Sequence, residues 1–230
     1  MRITAGELNR ATLGRQLLSR RESFGVVEAV RRVVALQAQT PASPYLALWN
    51  RLTDFDPADL DAAFADGTVV KSNMVRITLH AVLTDDYQAF REATEPSLRA
   101  ARFYDERFKV SGLTLTDADA LVPELLAFAE QPRTAAECQA WLEARLGAAW
   151  HPGAWWAMRQ YSPLLHAPTG GPWAFGNRPS YVAPRTSPTL ANREVADVGQ
   201  FAMVPRARAR NYSTSPAHRA RTRTLPPRRG

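Results

Sequence analysis

Twice along this chain a series of helix-starting signals gives way to a short β-branched or turn-rich stretch. That order constrains the fold more than any other feature. In the first half, Thr4-x-x-Glu7 has capping-box spacing ahead of Leu8, Leu13 and Leu17. Phe24 to Leu36 is helical in pattern. Ser43-Pro44 and Asp56-Pro57 each predict an N-cap residue before a proline in the first turn. After Gly67 the period changes from helical to alternating: Val69-Val70, then Val75 to Val82, reads as a hairpin.

The second half repeats the order. A polar helix is expected from about Asp85 to Phe108, with Asp85-Asp86 at its start. Thr116 opens the next helix, through Leu121, Leu125 and Phe128; Asp117 and Asp119 fit a helix start. Thr134-x-x-Glu137 caps another, with Cys138, Leu142 and Leu146 on one face. His151 to Gln160 forms a third. Leu164-Leu165-His166 and Tyr181-Val182 then flank a turn-rich segment, residues 167–180. Three helices carrying a β wing make a winged-helix unit. The expected fold is therefore mainly α with small β-hairpins (α+β), in tandem winged-helix domains at residues 1–110 and 111–186. Arg133 to Trp141 matches Arg193 to Phe201 at a constant offset, so residues 187–211 read as a fragment of a third unit. Residues 212–230 hold only Tyr212 and Leu225 as large apolar side chains, too few to offset the ordering entropy, and are expected to form a disordered tail.

Charge alone gives no argument for a nucleic-acid partner. The net charge is +7, but residues 204–230 contain eight arginines and no acid, leaving residues 1–203 at about −1. Lys71 and Lys109 are the only lysines, a bias that suits a high-GC genome. Cys138 is the lone cysteine, which excludes an internal disulfide and fits a reducing cytoplasm. Four scattered histidines suggest no metal site. The opening Met1-Arg2-Ile3-Thr4-Ala5 has no apolar core of an export signal, and no stretch approaches the roughly 18 apolar residues of a membrane span.

Three segments carry a family likeness: Val34-Ala35-Leu36-Gln37-Ala38-Gln39-Thr40-Pro41 with Leu46 to Leu52; Met74-Val75-Arg76-Ile77-Thr78-Leu79-His80; and Trp155-Trp156-Ala157-Met158-Arg159 with Leu165 to Trp173. Over residues 4–203 the chain resembles the AlkZ-type DNA glycosylases. The resemblance implies tandem winged-helix domains forming a concave DNA-binding face, and a catalytic Gln-x-Gln motif that falls on Gln37 and Gln39. A bare Gln-x-Gln is also what two polar residues closing a helix before Thr40-Pro41 would look like.

A carboxamide takes up no proton near neutral pH, so the two glutamines cannot be general bases. Each can accept through its carbonyl and donate through its amide. On an extended chain, residues 37 and 39 point to one side and can hold a water between them. That is enough for a purine alkylated at N7, whose positive charge already weakens the glycosidic bond.

The resemblance therefore implies hydrolysis of N7-alkylated, including interstrand cross-linked, purines in duplex DNA. The expected protein is a cofactor-free, cytoplasmic, nucleoid-associated monomer with no metal and no membrane partner. Arg76, Arg159 and Arg178 are the candidate nucleic-acid contacts, and Arg76 and Arg159 read equally well as surface arginines. Trp155 and Trp156 read as core, and His80 as a structural hydrogen-bonder. Neither lysine stands in a nucleophile context, which predicts base release without strand cleavage. Two other readings stay open: a winged-helix regulator without catalysis, and an inactive, truncated or frameshifted family member.

Overall fold

Local capping signals set most helix starts. Thr4 and Glu7 form the reciprocal box that begins α1 (Ala5–Arg15), and the Asp56 carboxylate accepts from Ala58 N–H to begin α4 (Pro57–Ala65). Between them lie α2 (Val26–Val33), β1 (Leu36–Gln37) and α3 (Ser43–Trp49). Next come β2 (Val69–Asn73), β3 (Leu79–Leu83), α5 (Thr84–Phe103) and α6 (Glu106–Lys109). The remainder is α7 (Leu115–Phe128), β4 (Arg133–Thr134), α8 (Ala135–Leu146), α9 (Pro152–Tyr161), β5 (Leu165–His166) and β6 (Ser180–Val182). The computed structural model describes residues 2–185 apart from 104 and 172. These belong to one unit, Met1–Ala191; a second, Asn192–Gly230, lies outside the described residues, as do the 193–201 repeat, the expected third-domain fragment and the expected tail.

The fold is mainly α with a small antiparallel sheet of order β1-β3-β2-β5-β6-β4. Strands from the first and second halves thus share one sheet. Among the described residues, a single register pair, Lys71 with His166, joins β2 to β5. Val69 and Val70 are both buried because both faces of β2 are covered. Val69 packs with Val30, Leu48, Leu60 and Ala81 under α2, α3 and α4. Val70 meets Val82, Tyr87 and Leu165 beneath α5. A separate core, with Leu125, Leu142 and Met158, fills the space between α7, α8 and α9. There Gly153 cannot be replaced without movement, since a Cβ would lie 2.0 Å from the Arg107 carbonyl oxygen.

Several boundaries differ from the sequence reading. The Phe24–Leu36 helix is only Val26–Val33: Val34 turns left-handed at φ 73°, and Leu36–Gln37 is recruited to β3. Ala42 rather than Ser43 caps α3, and Thr114 rather than Thr116 caps α7 through a box with Asp117. Val75–Ile77 is a tight helical turn, not strand, with Arg76 and Ile77 at φ 54° and 63°. The polar helix ends at Phe103, and Asp105 starts a separate short one. No residue of α1 is buried, so Leu8 and Leu13 stay on the surface. Among the described residues no helix is long and apolar enough to cross a membrane, and no three His, Cys, Asp or Glu side chains group to hold a metal ion.

Candidate functional site

The Gln-x-Gln segment is extended because α2 stops early. Past Val34 the chain pairs with β3, setting Leu36 opposite Ala81 and Gln37 opposite His80. Leu36 and Ala38 are buried, and Gln37 and Gln39 are exposed. Alternation thus fixes which residues reach solvent. Ala38 N–H donates to Leu79 O (2.7 Å), and the Gln39 side-chain carbonyl accepts from Leu79 N–H (3.2 Å). The Gln39 carboxamide therefore continues the ladder where the backbone bends away toward Pro41, and this orients its amide group. His80 Nδ1 lies 3.0 Å from Thr78 O, and His80 is the cross-strand neighbour of Gln37 and of Ser72.

Gln39 borders a cavity of about 100 Å³, together with Lys71, His166, Thr169, Phe175 and Arg178. Its far wall is the segment between β5 and β6. Gly171 and Gly176 hold that segment closed, since a Cβ on Gly171 would sit 2.9 Å from the Gly176 Cα; Gly176 N–H also donates to Thr169 Oγ1 (2.7 Å). The segment folds over the first core. Phe175 packs edge-on against Phe64 with centroids 4.8 Å apart, and Trp173 tilts against Tyr45 at 5.0 Å. Lys71 Nζ stands over the Phe175 ring, 4.4 Å from its centroid. Burial pulls the Lys71 amine down to about 8. Burial, with Lys71 and Arg159 nearby, holds His166 neutral by pulling it down to about 3.

The structure brings Gln39 and Arg178 to one cavity, with Gln37 on the adjoining strand. Arg178 is exposed within the turn-rich segment. Arg76 is exposed at the turn between β2 and β3. Arg159 is half-buried on α9 beside Tyr181 and His166, and among the described residues its Nε is buried with no hydrogen-bond partner. Trp155 is core, packed edge-on to Tyr181, whereas Trp156 is partly exposed beneath the Arg107 guanidinium. The sequence reading gave Lys71 and His166 no place in a site. The available signal was rarity: in a chain so rich in arginine, a lysine inside a β-branched strand is conspicuous.

A family profile described as DNA glycosylase AlkZ-like matches residues 30–224, a stretch containing both glutamines, the cavity wall and the whole sheet. Among solved structures, the chain is similar to the Streptomyces sahachiroi DNA glycosylase AlkZ with a TM-score of 0.61 and 22% identity, a likeness of fold. That similarity covers 80% of this chain and 50% of that one, so the chain spans half the length of the protein it matches. No curated protein matches the sequence. With most of its length inside the profile, the chain belongs to the AlkZ-like DNA glycosylase family.

Proposed function

We propose that the chain is a DNA glycosylase that hydrolyses the N-glycosidic bond of N7-alkylated purines in duplex DNA. The observation that carries this reading is the exposure of Gln37 and Gln39 around the buried Ala38, beside a cavity that Arg178 also borders. Two neutral carboxamides suit a substrate whose leaving group is already cationic. They can position water and direct carbonyl dipoles at the developing oxocarbenium ion without transferring a proton. Gln39 spends one lone pair on Leu79 N–H, which holds the group rigid while its amide and second lone pair stay available.

At about 100 Å³ the cavity lies well below the roughly 300–1,000 Å³ that encloses a drug-sized ligand. It therefore favours lesions attacked at the surface over a base swallowed whole, and tethered lesions such as interstrand cross-links fall in that class. The exposed Arg76 and Arg178 are the phosphate contacts of this reading, and the partner is cytoplasmic duplex DNA. Arg159, half-buried against Tyr181, serves the fold at least as much as the ligand.

Single-turnover release of N7-methylguanine from a duplex tests the proposal. Gln37→Ala and Gln39→Ala are each expected to slow release by about 10–1,000-fold, the scale of losing one charge-stabilising contact, with little change in DNA affinity. Parent-like excision by both variants would make the glutamines structural. Duplex binding by the parent without any base release would select the non-catalytic reading.

A further inference from the structure

The cavity wall holds one side chain that hydrolysis by positioned water leaves unused. Lys71 is 4% exposed, yet among the described residues it has no ion pair, and no carboxylate borders the cavity. Its Nζ lies over the Phe175 ring, His166 beside it is held neutral, and Arg178 borders the same cavity. Burial alone lowers the Lys71 amine to about 8, so a minor part of it is neutral near physiological pH, and a neutral amine is a nucleophile. The β2–β5 rung fixes its backbone, and its Nζ lies 4.4 Å from the Phe175 ring centroid. Gln39, on the same wall, belongs to the segment proposed to face the glycosidic carbon.

We propose that Lys71 Nζ condenses with the C1′ aldehyde of an abasic site in DNA to form an imine. The inference rests on the proposed glycosylase reading for the placement of the sugar at this cavity. The amine lone pair adds to the aldehyde carbon, giving a carbinolamine. The former carbonyl oxygen then leaves as water, carrying both protons of the amine, and C=N replaces C=O. Nothing is oxidised or reduced, and water reverses the step. Such an imine would hold the aldehydic product of base release in place until it is handed on.

The test supplies the abasic site directly, so that trapping does not depend on excision. The full chain is mixed with a duplex containing one abasic site, and sodium borohydride is added to reduce any imine to a stable secondary amine. The expected result is a covalent protein–DNA band whose peptide map carries the deoxyribose remnant on Lys71. Lys71→Arg, which keeps the charge but has no neutral amine near neutral pH, is expected to lose the band while retaining DNA affinity. Lys109→Arg is expected to trap like the parent. Absence of the band with the parent, or an adduct mapped to Lys109 or the N-terminal amine, would overturn the proposal. A Lys71 that serves only as a phosphate contact would give weaker duplex binding in Lys71→Met and no parental adduct, which also overturns it. Base release measured on the same protein separates the two readings. Release without trapping removes the imine alone, and trapping without release removes the glycosylase reading alone. The parental peptide map remains decisive if Lys71→Arg fails to fold.

Discussion

Arg91 is 1% exposed and holds three parts of the molecule at once. From α5 it pairs with Glu95 (2.9 Å) and donates to the carbonyls of Tyr161, at the end of α9, and Asn73, at the end of β2. Nearby, Tyr87 donates to Pro163 O (3.1 Å) and Ser72 to Leu164 O (2.9 Å), so side chains of the first half capture successive carbonyls leading into β5. Among the described residues, replacing Arg91 by Met leaves Glu95 with only the more distant Arg99 (3.8 Å) and removes the side-chain donor to the Tyr161 carbonyl. Urea unfolding of Arg91→Met is expected to show a loss of about 3 kcal/mol, the low end for breaking a buried pair; a change under about 0.5 kcal/mol, typical of surface sites, would contradict this account. None of this is legible in sequence, where Arg91 looks like any other arginine on a polar helix. Arg76, Arg159 and Arg178 stood out only through their neighbours. Lys71 was hidden for the same reason, since its burial is set by a strand far away in the chain.

Elements were more legible where the signal was local. Thr4, Asp56 and Thr134 each sit at the N-cap their spacing implies, because a cap is satisfied within three residues. The failures came from tertiary contacts. The Phe24–Leu36 periodicity continued past the true helix end because β3 takes Leu36 and Gln37 as an edge strand. The hairpin after Gly67 is legible in sequence, but its turn looks like strand, since β-branched Val75 and Ile77 hide a left-handed bend. The β5–β6 connection was recognised from its glycines and prolines, and its arginine is the test of its role. Arg178→Ala is expected to weaken binding to duplexes of unrelated sequence by similar factors and to reduce the slope of log affinity against log salt by about 1. A loss confined to one sequence would indicate base readout instead.

At the scale of the molecule, the sequence predicts two winged-helix units over residues 1–110 and 111–186, yet a single sheet contains strands of both, so the two are expected to act as one folding body. Native-state hydrogen exchange tests this. Amides of β2 and β5 are expected to open with the same free energy, whereas independent domains would give two distinct values. Reading hairpins one at a time could not reveal that sheet, because β2 and β5 are far apart in sequence and meet at one rung. Lys71 and His166 are both the backbone pair that joins the halves and two walls of the cavity. A recombinant that grafts either half from a distant relative therefore changes one side of the joint and one wall of the cavity at the same time. Chimeras that inherit that pair from one parent are expected to unfold at higher urea than those that split it.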